Sequence, residues 1–114
     1  MLLKFVSQVS LFCLWLVPFS AQNAMADEHV VIILGSAYFP EKTLVEQGDI
    51  VRFVNVSGRN HTVVHADGKW ATHPMAEGEE LLVAIEPDMA GTFFGHAKTI
   101  ITGRFDLIRD PVTN

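Results

Sequence analysis

The chain has 114 residues and a mass of 12.6 kDa, room for one domain and little more. Eight Lys and Arg stand against thirteen Asp and Glu, a formal charge of −5, which argues against a nucleic-acid binder that works by neutralising phosphates. No Ser/His/Asp order, paired carboxylates or glycine-rich phosphate loop has the spacing that catalysis needs, so the chain reads as a non-enzyme.

The first segment reads as a secretory signal peptide over residues 1–26. Lys4 supplies a short basic start, Val9 to Phe19 an apolar run, and Ala24-Met25-Ala26 a small-residue cleavage site before Asp27-Glu28. A membrane span needs about 20 apolar residues, and Pro18, Ser20, Gln22 and Asn23 interrupt this run. The expectation is an exported, periplasmic domain over residues 27–114 with no membrane attachment after cleavage. Cleavage removes Cys13, the one cysteine, so the 88 remaining residues have neither a disulfide nor a thiolate ligand. Their charge is −6, because residues 1–26 hold one Lys and no acid.

Beyond Asp27 the chain alternates short Val-, Ile- and Phe-rich segments with Gly, Asp, Asn and Pro, and no segment has helical periodicity. Strands are predicted over Val30–Leu34, Ser36–Phe39, Thr43–Val45, Ile50–Val56, His61–Ala66, Glu80–Glu86, Thr92–Ala97 and Gly103–Arg109. Turns are predicted at Gly48-Asp49, Ser57–Asn60, Asp67–Lys69 and Pro87–Gly91, with an irregular stretch over Trp70–Gly78. Short strands with turn signals at this density predict an antiparallel β-sandwich or barrel. Period two places Val51, Phe53 and Asn55 on one face and Arg52 on the other. The same rule puts His61, Val63 and His65 on one face, where two imidazoles require partners.

The succession Tyr38-Phe39-Pro40, Gly48-Asp49-Ile50-Val51-Arg52-Phe53-Val54-Asn55, His61-Thr62-Val63-Val64, Gly91-Thr92-Phe93-Phe94 and Gly103-Arg104-Phe105-Asp106-Leu107 resembles the cupredoxins, in particular the plastocyanin, pseudoazurin and amicyanin group. The resemblance implies an all-β, Greek-key β-sandwich of seven to eight strands. It also implies that His61 is the first copper ligand. The departure lies in the loop between the last two strands, where the family keeps Cys, His and usually Met. Here that loop is Gly95-His96-Ala97-Lys98-Thr99-Ile100-Ile101-Thr102, about two residues shorter: counting from Gly91 puts Ala97 in the cysteine's place and Ile100 in the histidine's, whereas counting back from Gly103 puts Gly95 in the cysteine's place. A blue copper site, which takes a thiolate and two imidazoles, is excluded.

Imidazole and thioether donors remain, and together they suit copper as Cu(I) or Cu(II). The candidate metal ligands are His61, His65, His73, Met75 and His96. His61 and His65 stand about 13 Å apart on an extended strand, so they do not share one ion unless the strand bends. His73-Pro74-Met75 puts an imidazole and a thioether on one side of an extended segment, and His96 is the one donor left in the family's ligand loop. His29 falls in a frayed mature N terminus, third in line for an amino-terminal copper chelate. The reading is an exported copper-binding protein that uses His and Met without cysteine for copper handling or delivery, with copper and a periplasmic redox or copper-transport protein as partners. The alternatives are a metal-free interaction or accessory module of an exported redox system, and a non-blue copper electron carrier.

Overall fold

The structure is a computed structural model that describes residues 26–97 and 99–108; the signal-peptide reading lies outside the described residues except at Ala26. Eight strands are present among them: β1 (Glu28–Ile33), β2 (Tyr38–Phe39), β3 (Lys42–Val45), β4 (Ile50–Asn55), β5 (Val64–His65), β6 (Glu80–Ala84), β7 (Gly91–His96) and β8 (Ile100–Leu107). They form two four-stranded sheets, in the orders β2-β1-β4-β6 and β3-β8-β7-β5. In β4 the period-two pattern holds, with Val51, Phe53 and Asn55 buried and Arg52 facing outward between Glu28 and Glu80. The core between the sheets is built on Val31, Ile33, Tyr38, Val51, Phe53, Val63, Phe93, Ile101 and Phe105.

Three local expectations are corrected. Both sheets are mixed: β1 pairs in parallel with β4, and β3 in parallel with β8. The chain passes from β1 through β3 in the opposite sheet before returning in β4, a crossover that brings it back in the same direction. Next, the expected strand at His61–Ala66 contracts to β5, preceded by an isolated bridge, and the stretch after Trp70 is its ladder partner. His61 and Met75 exchange N–H···O bonds of 2.9 and 2.8 Å, and Val64 bridges Ala71. The two pairings differ by one residue in register, and the Thr72 hydroxyl accepts from the Val63 N–H where the ladder shifts. Finally, β8 begins at Ile100. The ladder with β7 runs on to His96↔Ile100, and the Ala97 N–H donates to Thr99 O at 2.8 Å to close the hairpin.

On the inner face of β7 and β8 large side chains and glycines alternate across the ladder. Gly91 faces Phe105, Phe93 faces Gly103, and Gly95 faces Ile101. Each glycine leaves a hollow that a ring from elsewhere fills: a Cβ on Gly91 would stand 3.2 Å from His65 Nε2, one on Gly103 2.6 Å from Phe93, and one on Gly95 2.3 Å from His61 Nε2.

Candidate functional site

His61 is held at both ends. Its backbone is fixed by the reciprocal bonds to Met75, and its Nε2 lies 2.8 Å from the Tyr38 hydroxyl. The two rings meet edge to face at 5.5 Å. Both residues are buried, and burial raises the Tyr38 phenol above its ordinary value. The second nitrogen of His61, Nδ1, is buried with no hydrogen-bond partner among the described residues. Tyr38 also packs edge to face on Phe93 at 4.9 Å, which ties the pair into the aromatic core.

Burial is the main reason the His61 imidazole stays below its ordinary value of 6.5; the nearby backbone of His96 works against this, and the His96 imidazole adds to it. The folded state thus takes up this proton less readily than the unfolded chain. The resulting stability is fully present above pH 6.5 and is lost as the pH falls below it. The urea midpoint is expected to be lower at about pH 5.5 than at about pH 7.5, and His61→Leu is expected to flatten the difference. A wild-type midpoint that does not move would show that His61 is not buried in its neutral form.

The other candidate ligands are dispersed. Met75 is fully buried opposite His61, and a directly paired position puts its side chain on the same face of the ladder. His65 is buried with both nitrogens in use: Nε2 donates to Ala90 O at 2.9 Å, and Nδ1 accepts from the Asp67 and Lys69 N–H groups at 3.1 and 3.4 Å. It has no free lone pair for a metal. His73 is exposed and pairs with Glu79 at 2.7 Å, on the opposite side of Pro74 from the buried Met75. His96 is exposed beside Phe94, one residue out of phase with the inward-facing Phe93 and Gly95. His29 is not frayed, since it lies in β1 with its Nε2 2.8 Å from Asp49. Among the described residues no three His, Cys, Asp or Glu side chains stand close enough together to hold a metal ion.

Sequence reasoning missed the residues that shape this site. Tyr38 and Gly95 surround the His61 ring, and the signal for them was the Gly-x-Phe-x-Gly spacing of Gly91, Phe93 and Gly95, which matches Ile101-x-Gly103-x-Phe105 on the facing strand. Asn55 was placed inward, but its use is greater than its face implied. Its amide donates to the carbonyls of Arg59, Met75 and Ala76, and its oxygen accepts from the Ser57 N–H and hydroxyl. It therefore ties the two segments that carry His61 and Met75.

No protein-family model matches the sequence, and no curated protein matches it. Solved structures do. The copper-containing nitrite reductase of Thermus scotoductus SA-01 aligns with a TM-score of 0.59 at 17% identity, over 82% of this chain and 25% of that one. A purple cupredoxin of Nitrosopumilus maritimus aligns at 0.53 and 15% identity, over 70% of this chain and 99% of that one. The fold is that of the cupredoxins. Amicyanin of Paracoccus versutus, at 0.54 and 19% identity over 75% of this chain and 86% of its own, agrees. This cupredoxin-like domain spans a quarter of the nitrite reductase chain and nearly all of the small purple cupredoxin. No helix among the described residues is long and apolar enough to cross a membrane.

Copper is the metal that this fold implies, and the donor set here does not fit a thiolate-centred ion. Ala97, where the count from Gly91 puts the cysteine, is packed against the core, and Gly95, where the count from Gly103 puts it, is buried and has no side chain. His96 is exposed, and His61 uses one nitrogen on Tyr38. Its ring lies over Gly95 as a core ring does.

Proposed function

We propose that this chain is an exported, non-enzymatic cupredoxin-fold domain that works without a blue copper centre, as an accessory or binding component beside exported redox or copper-transport proteins. The observation that carries the reading is the closed position around His61, where the Tyr38 hydroxyl holds Nε2 and the ring fills the space over Gly95. An exposed apolar surface adjoins it. Tyr38 and Ile101 also line an open groove of about 600 Å³ with Phe39, Pro40 and Ile100, of which Phe39 and Ile100 are 63% and 59% exposed. Exposed apolar side chains beside a concave surface suit contact with another protein.

The unpartnered Nδ1 of His61, opposite the buried Met75, favours a second reading in which an imidazole and a thioether hold Cu(I). Residues 27–114 loaded with Cu(II), or with Cu(I) under reductant, and then freed of unbound metal separate the two. The main reading expects no retained copper in either state and no rise in melting temperature on copper addition, because a ligand that binds the native state stabilises it. One copper per chain, lost in both His61→Ala and Met75→Leu, would replace it with the second reading.

A further inference from the structure

Asp49 is a buried carboxylate, 6% exposed, at the turn that leads into β4. Its Oδ2 accepts from the Glu46 N–H at 2.9 Å and faces His29 Nε2 at 2.8 Å, whereas its Oδ1 receives one donor, the backbone nitrogen of Asp27, at 3.2 Å. Those bonds hold the carboxyl below its ordinary value even though burial works to raise it. A buried carboxylate is costly unless it is paired with a charge. No Lys or Arg pairs with Asp49 among the described residues, and His29 is a cation only when protonated.

We propose that Asp49 is the receptor for the α-ammonium of Asp27, and that the Ala26–Asp27 bond is the point at which the chain is processed. In the precursor the group 3.2 Å from Oδ1 is a neutral amide. Hydrolysis of the Ala26–Asp27 bond turns that same nitrogen into an amine, which is protonated near neutral pH, and changes a neutral hydrogen bond into a charge-assisted one. Nearby acids do not compete for it: Glu28 points to the outer face and is paired with Arg52. The captured terminus is also bound to the sheet, because Asp27 O accepts from the Ile50 N–H at 2.9 Å, just ahead of the β1–β4 ladder. Removal of the leader therefore completes the ion pair at the open end of the first sheet, and the processed domain is more stable than the same domain with its leader attached. This inference does not depend on whether the domain binds copper.

The test compares three forms: the full chain exported from a bacterial host, residues 27–114 with the α-amine acetylated, and a form that retains Ala26. Mass spectrometry of the exported chain is expected to find Asp27 first. Its melting temperature is expected to exceed those of both other forms by about 4–8 °C, with slower hydrogen exchange at the Ile50 amide. In Asp49→Asn the gap between free and acetylated termini is expected to vanish. A different first residue, equal melting of the free and acetylated forms, or a gap that survives in Asp49→Asn would each overturn the proposal. Should Asp49→Asn fail to fold, the Ile50 exchange rates of the free and acetylated wild-type forms decide by themselves.

Discussion

Gly95→Ala is expected to destabilise the domain by on the order of 3 kcal/mol, a fall in Tm of roughly 10–20 °C. Alanine is ordinarily the milder residue in a strand, so an effect of this size has to come from space. The new Cβ would stand 2.3 Å from His61 Nε2, 2.6 Å from His61 Cε1 and 2.6 Å from the Tyr38 hydroxyl, closer than real Cβ contacts come. None of the three can give way cheaply. The His61 backbone is bonded to Met75 in both directions, Tyr38 is wedged against Phe93, and Gly95 is fixed in the ladder opposite Ile101. The cost should be coupled to the ring: in a His61→Ala background, Gly95→Ala is expected to cost far less than in the wild type, a coupling that a double-mutant cycle reads directly. Thermal melts of the four proteins check it. A wild-type background that accepts Gly95→Ala without loss would mean that the imidazole does not lie over Gly95, and the closed position on which the proposed function rests would be open.

The fold was legible in the sequence because its signals are local. The alternation in Ile50–Asn55 and the turn at Gly48-Asp49 each need a few residues to be read and are where they were expected, and the Gly103–Leu107 run lies in a strand as expected, although that strand begins three residues earlier. Strand direction is not local, which is why the parallel β1–β4 and β3–β8 pairings were missed: they depend on which sheet the intervening chain joins. The histidines divide in the same way. Period two put His61 and His65 on one face, and both are buried, yet it carries no information on what fills the space around them. His65 found two backbone N–H donors and a carbonyl, and His61 found a tyrosine 23 residues earlier in the chain. The one-residue register that turns His96 outward was fixed by the β7–β8 ladder running on to Ile100. A slip of one residue reverses every face on a strand.

Asn55→Ala is expected to lower stability by about 3 kcal/mol, and Asn55→Asp by more, a large share of the roughly 5–15 kcal/mol of a typical domain. Asn55 is fully buried and makes five hydrogen bonds. With alanine, the carbonyls of Met75 and Ala76 each keep another donor, from the His61 N–H and the Glu79 N–H, so the loss is one of cohesion and volume more than of bare carbonyls. The Ser57 N–H loses its acceptor outright. Aspartate has nearly the same shape and keeps the Ser57 bonds, but it turns an oxygen toward three carbonyl oxygens in a site without water access. Charge repulsion and burial then act together, and the carboxyl pKa rises. The order of effects is the diagnostic. If Asn55 merely filled space, the isosteric aspartate would be the milder change; if it is the amide donor that joins the His61 and Met75 segments, aspartate is the worse one, and denaturant midpoints of the two variants distinguish these. The same pair reports on the site, because the reciprocal bonds between His61 and Met75 depend on segments that Asn55 ties together. Hydrogen exchange at the His61 amide should therefore accelerate in both variants before global unfolding, whereas an unchanged His61 amide would detach Asn55 from the positioning of that histidine.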